Sequence, residues 1–145
     1  MTQENKELLL RDLTARATYG AKVLNTTYKN HDIQTVLGVV GDEVTMVETY
    51  TSVRGDDFEF SSTRHYTGRI DSVKPYLRPM ESMTQEERKE YARLLFPDLG
   101  GIYEDYYKAL DWLHEHHFDY RGLIDKDLAI AVTENNNPYK EERHN

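Results

Sequence analysis

The sequence predicts an α+β fold with an N-terminal helix, a small antiparallel sheet that can curl into a partial barrel, and a C-terminal helical half. Three observations support this prediction. Leucines recur at helical spacing near the start of the chain, β-branched residues and tight-turn pairs follow them, and helix-initiation signals appear only after Pro79. Strand signals and helix signals are thus largely separated along the chain.

The first helix is predicted over residues 4–17, and Gly20 is placed to end it. The apolar residues of this segment recur at intervals of three and four, which puts them on one face of a helix. They are Leu9, Leu10, Leu13 and Ala17.

Strands are predicted in the region that follows. Residues 35–40 and 43–50 are rich in β-branched side chains and flank Gly41-Asp42, a pair that closes tight hairpins. Further strand candidates are residues 21–28, 58–60 and 64–73, with turns at residues 30–32 and 55–57 and the last strand ending before Pro75. The sheet therefore has about four or five strands.

The second half of the chain predicts helices. Thr84 and Glu87 have the spacing of a capping box, and Pro97 with Gly100-Gly101 ends the helix that this box begins. A second helix is predicted over residues 103–116 and a short third one over residues 120–128. We therefore expect one domain over residues 1–134, followed by a loose polar tail over residues 135–145.

Composition excludes several classes of function. With no cysteine, the chain has neither disulfides nor thiolate metal sites, and no cofactor is indicated. The net charge of -8 argues against non-specific nucleic-acid binding, which depends on clustered cations. The early run Leu8-Leu-Leu10 is too short for a membrane span or a secretory signal. We therefore expect a soluble cytoplasmic protein without a membrane partner.

A histidine cluster offers one enzymatic interpretation. Asp111, His114 and His117 are three residues apart and share a helical face if the helix persists through His117, so they are candidate ligands of a metal-dependent hydrolase. The spacing is not that of a known zinc motif, and residues 118–120 resemble a helix exit, where histidines often contact the last carbonyls. The structural role is the favoured one, and we predict no metal site.

Other catalytic arrangements find little support. The chain lacks a Gly-x-Ser-x-Gly nucleophile elbow, and its acidic runs are typical of solvated helix faces rather than of paired catalytic carboxylates. The prediction is a protein that is not an enzyme.

The basic segment, residues 61–79, is the best candidate for a binding site. Four cations stand against one acid there, which gives +3 in an otherwise acidic chain. Its cations alternate with aromatic rings, a combination that suits the phosphate and the base of a nucleotide. The predicted ligand-binding residues are Arg64, His65, Tyr66, Arg69, Lys74, Tyr76 and Arg78.

The alternative for the basic segment is structural. Its arginines can pair with the abundant carboxylates on a solvated surface, and Tyr66 and Tyr76 can pack in a strand and a loop. Both interpretations remain open at this level, because the sequence alone does not distinguish a pocket from a surface.

Three blocks of the chain resemble a family of small uncharacterised proteins from gut Bacteroides-type bacteria and their phages. The blocks are Leu8-Leu-Leu-Arg-Asp-Leu-Thr-Ala-Arg16, Asp71-Ser-Val-Lys-Pro-Tyr-Leu-Arg-Pro-Met-Glu-Ser-Met-Thr84 and His117-Phe-Asp-Tyr-Arg-Gly-Leu-Ile-Asp125. Members of the family usually carry Cys at the position of Thr14 and Leu-Pro at Ala17-Thr18. The resemblance transfers no catalytic residues.

The resemblance implies a phage or mobile-element protein that acts in the host cytoplasm. Combined with the basic segment, it leads to the hypothesis of a non-enzymatic, anti-defence binder that captures a small anionic ligand such as a nucleotide-like immune signal. An oligomer would let two chains supply one pocket, so a homo-oligomer is expected. The alternatives are an acidic inhibitor of a host protein and the metal-dependent hydrolase described above.

Overall fold

The structure is a computed structural model of the 145-residue chain, and it describes residues 1–27, 33–53, 59–96 and 103–140. The α+β class predicted from the sequence is confirmed, with an N-terminal helix, a mostly antiparallel sheet and later helices. The chain divides into two compact units, Met1–Pro75 and Tyr76–Asn145. The single domain predicted over residues 1–134 is therefore described below as two units.

The first unit contains helix α1 and strands β1 to β4, and β5 begins in it. A one-turn 3₁₀ helix, Ile70–Ser72, joins β4 to β5. The bounds are α1 Gln3–Arg16, β1 Lys22–Asn25, β2 Ile33–Val40, β3 Glu43–Val53, β4 Glu59–Arg69 and β5 Val73–Pro79. The second unit contains α2 Gln85–Leu95, α3 Tyr103–Glu115, β6 Phe118–Asp119 and β7 Ile130–Ala131.

The strands hydrogen-bond in the order β4-β3-β2-β1-β5-β6, and β7 also pairs with β5. Pairs within the first unit are antiparallel, whereas β6 and β7 run parallel to β5. The sequence predicts that the last strand stops before Pro75, but β5 continues through Pro75 and Pro79. Proline has no backbone N–H, so β5 lacks a ladder donor at Pro75 and at Pro79 although both residues pair with neighbouring strands.

The hairpin predicted at Gly41-Asp42 is confirmed. Val40 pairs with Glu43 across it, and Gly41 has a φ of +58°, a left-handed conformation that glycine adopts without a steric cost. β2 carries a bulge between Val36 and Gly38, whereas β3 and β4 pair over eleven consecutive residues without a register shift. The sequence therefore fixes which side chains of β4 share a face.

Helix α1 begins at Thr2, whose hydroxyl accepts a hydrogen bond from the backbone N–H of Asn5 at 3.1 Å. The bounds agree with the predicted helix to within one residue. Its leucines supply the helical part of the unit's core, and the strands supply valine and methionine side chains. The fully buried members are Leu9, Leu13, Val23, Val44, Met46 and Ile70.

One ion pair lies inside this core. Arg16 Nε donates to Asp12 Oδ2 at 2.9 Å, and both side chains are completely buried. Burial of two charges costs several kcal/mol in lost hydration, which their mutual attraction offsets only while both partners are present. The pair therefore makes α1 sensitive to loss of either residue.

The sheet of the first unit is strongly curled. In a flat sheet, β4 and β1 would lie about 14 Å apart, since three inter-strand steps separate them. A Cβ atom placed on Gly68 of β4 would nevertheless lie 3.5 Å from Oδ1 of Asn25 in β1, and 3.1 Å from Cε of Met46. The curl agrees with the predicted tendency toward a partial barrel, and it brings the end of β4 close to the end of β1.

In the second unit, the capping box predicted at Thr84 is confirmed. The Thr84 hydroxyl accepts from the N–H of Glu87 at 3.1 Å, and Glu87 accepts from the N–H of Thr84 at 2.9 Å. Helices α2 and α3 agree with the predicted pair. Their core cluster is formed by Met83, Trp112, Leu113 and Phe118.

The short third helix predicted over residues 120–128 is wrong. That segment forms turns, because the Asp119 carboxylate accepts from the N–H groups of Leu123 and Ile124 at 2.9 Å each and holds the chain in a loop. Gly122 and Asp127 have positive φ angles of 74° and 58°, which a helix does not accommodate. A carboxylate that captures backbone donors competes with helix formation.

Residues 135–140 of the tail that the sequence predicts to be loose are described by the structure. The Tyr139 hydroxyl donates to the carbonyl of Tyr76 at 2.8 Å, and the Tyr139 ring stacks on His117 with 3.6 Å between ring centroids. Thr133 and Asn136 also form a β-bridge. These contacts connect the described part of the tail to the second unit, and its looseness stays a prediction.

Some predictions lie outside the described residues. They are the turns at residues 30–32 and 55–57, the helix stop at Pro97 and Gly100-Gly101, and the end of the tail. Among the helices that the structure describes, none is both long and apolar enough to cross a membrane.

Replacement of Asp12 by Ala should destabilise the protein by about 3–5 kcal/mol, because Arg16 would remain buried without its carboxylate. Urea unfolding measures the change. Glu7→Ala, an exposed change in the same helix, is the matched control and should cost less than about 0.5 kcal/mol. The double variant Asp12→Leu/Arg16→Met should recover most of the loss, and an Asp12→Ala variant as stable as the control would contradict this role for the pair.

Candidate functional site

The part of the basic segment that lies in β4 is divided between the two faces of that strand. Pairing with β3 places Tyr66 opposite the buried Met46, so Tyr66 and Arg64 belong to the face that contacts the core. His65 pairs with Val47 and belongs to the opposite face, together with Arg69. The cations and rings predicted from the sequence therefore do not converge on one site.

The core-side face carries Arg64 and Tyr66. Arg64 is exposed and lies opposite Glu48 of β3, an arrangement of opposite charges that stabilises antiparallel pairs. Tyr66 is half-buried. The carboxylate opposite Arg64 and the partial burial of Tyr66 agree with the structural alternative, in which these residues pair and pack and do not bind a ligand.

The opposite face of β4 carries what we call the outer row, namely His65, Thr67 and Arg69. All three side chains are exposed. Neighbours in the row are about 6.5–7 Å apart, since same-face residues of a strand are separated by two residues. The row thus presents an imidazole ring, a hydroxyl and a guanidinium in line.

A pocket of about 220 Å³ lies at the Arg69 end of the outer row. Three of its six lining residues carry a hydroxyl group, and the others include one cation and one carboxylate. The lining residues are Thr27, Glu43, Thr67, Gly68, Arg69 and Ser72. Arg69 is 72% exposed and its Nε lies 4.0 Å from Asp71 Oδ1, a separation at which an exposed ion pair contributes little. The guanidinium is therefore available to a ligand.

Buried hydrogen bonds fix the wall of this pocket. Asn25, which is fully buried, accepts from the N–H of Thr27 at 3.1 Å and donates to Gln34 Oε1 at 3.1 Å. Thr26 donates twice to the carbonyl of Ser72, through its N–H and its hydroxyl, at 2.8 Å each. The turn after β1 and the 3₁₀ helix before β5 are thereby held together, and Thr27 and Ser72 come to line one pocket.

The sequence identified Arg69 but missed Thr27, Glu43 and Ser72 as lining residues. Thr27 and Ser72 are far apart in the sequence, and their types are common in turns and loops. Only the curl of the sheet brings them together. Glu43 could have been found from the hairpin register, because Arg69 is its direct partner.

Lys74 does not line the pocket. It is half-buried in β5 and pairs with Leu24 of β1. The ammonium group of a long side chain can extend past its apolar neighbour to solvent, so packing of the stem accounts for this position.

Tyr76 and Arg78 have structural contacts in the second unit. Tyr76 is buried, which raises the pKa of its hydroxyl. Arg78 forms a bidentate ion pair with Glu87, with nitrogen–oxygen distances of 2.7 and 2.8 Å, and its guanidinium lies 4.1 Å from the centroid of the Phe118 ring. The Arg78 guanidinium therefore ties β5 to the start of α2.

The structure separates His117 from the other two members of the histidine cluster. Helix α3 ends at Glu115, so His117 leaves the helical face that Asp111 and His114 share, and it has a φ of 63°. No group of three or more His, Asp or Glu side chains in the described parts of the chain is placed to hold a metal ion. The structure thus does not assemble the ligand set of the hydrolase hypothesis.

Each histidine contacts an aromatic residue instead. His114 hydrogen-bonds to the Tyr120 hydroxyl at 2.7 Å, and His116 Nδ1 donates to the carbonyl of Trp112 at 2.8 Å while stacking on its ring. These contacts organise the exit of α3, as the favoured sequence interpretation expected.

A second pocket, of about 110 Å³, lies in the second unit and is lined in part by Glu81, Asp119 and Asp125. Both oxygens of Asp119 already accept backbone hydrogen bonds from the loop that follows it. This pocket therefore belongs to loop structure rather than to a ligand site.

The charges of helix α2 are relevant to the alternative of an acidic inhibitor of a host protein. It carries three carboxylates and three cations, which sum to zero charge over residues 85–95. Such a mixed face differs from the uniform negative surface that mimicry of a nucleic acid requires.

Comparison with known protein families, with curated proteins and with solved structures found no match. The pocket at the Arg69 end of the outer row is therefore interpreted from its own geometry.

Replacement of Glu87 by Gln should remove a pH-dependent part of the stability. The Arg78 guanidinium, against the opposing effect of burial, holds the pKa of Glu87 at about 2 rather than 4.5. A lowered folded-state pKa stabilises the protein above the ordinary value, and this stability is lost as the pH falls from about 4.5 to 2. We expect Glu87→Gln to cost about 2–3 kcal/mol at pH 7 in urea unfolding.

The difference between wild type and Glu87→Gln should shrink as the pH falls through that window. Glu86→Gln, an exposed change in the same turn, is the control and should leave the pH profile intact. A constant difference between pH 7 and pH 2 would show that the Arg78 ion pair does not contribute in this way.

Proposed function

We propose that this protein is a non-enzymatic binding protein that captures a phosphate-bearing, nucleotide-like ligand in the pocket at the end of the outer row. The observation that carries the proposal is the grouping of the exposed Arg69 guanidinium with the hydroxyl-bearing residues Thr27, Thr67 and Ser72 in one pocket. Guanidinium and hydroxyl groups are the donors that phosphate oxygens accept best in proteins.

The size of the pocket supports a phosphate rather than a whole nucleotide inside it. Pockets that enclose drug-sized ligands have volumes of about 300–1,000 Å³, whereas this one measures about 220 Å³. A phosphate and part of a sugar fill that volume. The remainder of the ligand therefore lies outside, along the outer row.

The outer row has the chemistry to receive that remainder. His65 offers an exposed ring for stacking of a base, and it stands beside Val47 on β3. Glu43, in the pocket, can accept hydrogen bonds from ribose hydroxyls, as carboxylates do in dinucleotide sites. The order phosphate, sugar, base along β4 follows from the spacing of Arg69, Thr67 and His65.

We propose that the protein captures its ligand in order to sequester it. In the phage or mobile-element setting that the sequence resemblance implies, the ligand is a signal nucleotide of the host, and the protein acts in the host cytoplasm as an anti-defence factor. A second copy placed over the outer row would enclose the exposed part of the ligand, which is the reason to expect a homo-oligomer.

Replacement of Arg69 by Gln should weaken nucleotide binding at least tenfold, because a charge-assisted hydrogen bond to phosphate is lost. Isothermal calorimetry with cyclic dinucleotides, cyclic oligonucleotides and ADP-ribose derivatives measures the affinity. Arg64→Gln is the matched control, since it removes the same charge from the opposite face of β4 and should change the affinity less than twofold.

The same samples test capture against catalysis. After incubation, chromatography should recover the ligand chemically unchanged, with about one ligand released per site on denaturation. Three results would each overturn the proposal. They are no detectable binding of any compound in the panel, an equal loss of affinity in the Arg69→Gln and Arg64→Gln variants, and recovery of the ligand in hydrolysed form.

A further inference from the structure

Strand β4 has an open edge. In the described part of the chain it pairs with β3 alone, along all eleven of its residues and without a register shift. Every second residue of an edge strand directs its N–H and C=O groups away from its partner strand. Over residues 61–67 this amounts to three or four residues, or about six to eight backbone groups.

The edge is also accessible from both faces. Thr63, Arg64 and His65 are consecutive and all exposed, although neighbouring side chains of a strand point to opposite faces. Natural proteins usually protect such edges with charged side chains, proline, a bulge or a covering segment. Residues 61–67 contain no proline, their pairing with β3 has no bulge, and Arg64 is their one arginine or lysine.

We infer that this edge binds an extended, acidic segment of another protein, which adds to the sheet as a further strand beside β4. Main-chain hydrogen bonds along residues 61–67 provide the affinity of such strand addition, and side chains provide its specificity. This inference goes beyond the proposed function: it concerns the backbone edge of residues 61–67, which includes His65 and Thr67 of the outer row, whereas Arg69 of the pocket lies outside these residues.

Charge identifies the partner as acidic. Residues 61–67 contain one arginine and one histidine and no carboxylate, so this stretch carries +1 with neutral histidine. Glu48 lies opposite Arg64 on β3, and the five N–H donors of a guanidinium allow it to contact a second carboxylate as well. A carboxylate on an added strand can therefore approach Arg64 from the open side.

The same charges disfavour a second copy of β4 as the occupant. Self-pairing brings together two stretches that each carry +1 and contain no carboxylate. Like charges on paired strands are destabilising in a cross-strand position, whereas opposite charges are stabilising. The positive charge of the edge therefore favours an acidic added strand and disfavours a basic one.

The experiment uses the full-length protein and three blocked seven-residue peptides. One alternates threonine with glutamate, one alternates threonine with lysine, and one is the glutamate peptide with a central proline. We expect the glutamate peptide alone to slow amide hydrogen exchange of β4 residues 61–67, as followed by NMR. The proline peptide tests strand formation, because proline removes a ladder donor.

Variants locate the charge that matters. Arg64→Gln should weaken the glutamate peptide about two- to fivefold, the range of exposed ion pairs. Arg11→Gln removes the same charge from an exposed position of α1 and should leave the peptide affinity unchanged. Loss of nucleotide binding in Arg69→Gln with retained peptide binding would separate this surface from the proposed pocket.

Three outcomes would overturn the inference. They are the absence of slowed exchange at residues 61–67 with the glutamate peptide, equal protection by the lysine peptide, and concentration-dependent protection of these amides in the free protein, which would identify a second copy as the occupant.

Discussion

The unbroken pairing of β3 with β4 is the constraint on which the functional surface of this protein depends. A strand alternates its side chains between two faces, and a shift by one residue would exchange them. Because the buried Met46 stands opposite Tyr66, the register is anchored by the core. His65 and Arg69 must then face outward together, while Arg64 is turned away from them. The outer row is therefore a consequence of hydrophobic burial on the other side of the sheet.

The close approach of the end of β4 to β1 involves one residue in particular, Gly68. Gly68 lies against Met46 and Asn25, and even a methyl group there would meet Met46 Cε at 3.1 Å. A residue without a side chain thus lets the edge of the sheet fold toward β1. Asn25 then uses its buried amide to hold the turn that carries Thr27. The pocket and the core are built from the same contacts, so core changes near Gly68 should also alter the pocket.

The sequence predicted the elements whose signals are local. The capping box at Thr84 and the hairpin at Gly41-Asp42 each depend on residues within a few positions of one another, and both are confirmed. The helix predicted over residues 120–128 is wrong because one side chain, Asp119, captures two backbone donors that a helix would need. Helical periodicity does not reveal such competition.

The candidate site was predictable only in part, because its residues are brought together by contacts that are not local in the sequence. Clustering of cations in the sequence pointed to Arg69, but it also included Arg78 and Tyr76, which the structure uses for an ion pair and for packing. Sequence proximity brings such residues into one segment, whereas alternation along a strand places neighbouring side chains on opposite faces. Thr27 and Ser72 show the converse, since only the curled sheet makes them neighbours.

The two carboxylates close to Arg69 affect which anionic ligands the proposed pocket would select. Glu43 is in the same pocket and Asp71 lies 4.0 Å from the guanidinium, so the formal charges of these three residues sum to −1. Exposed charges interact over about 8–10 Å at physiological salt, which includes both groups. A bare polyanion would therefore gain little attraction here. A ligand that presents a phosphate to Arg69 and hydroxyl donors to Glu43 turns the same carboxylate into a partner, and this combination favours a sugar phosphate over inorganic phosphate or a nucleic-acid backbone.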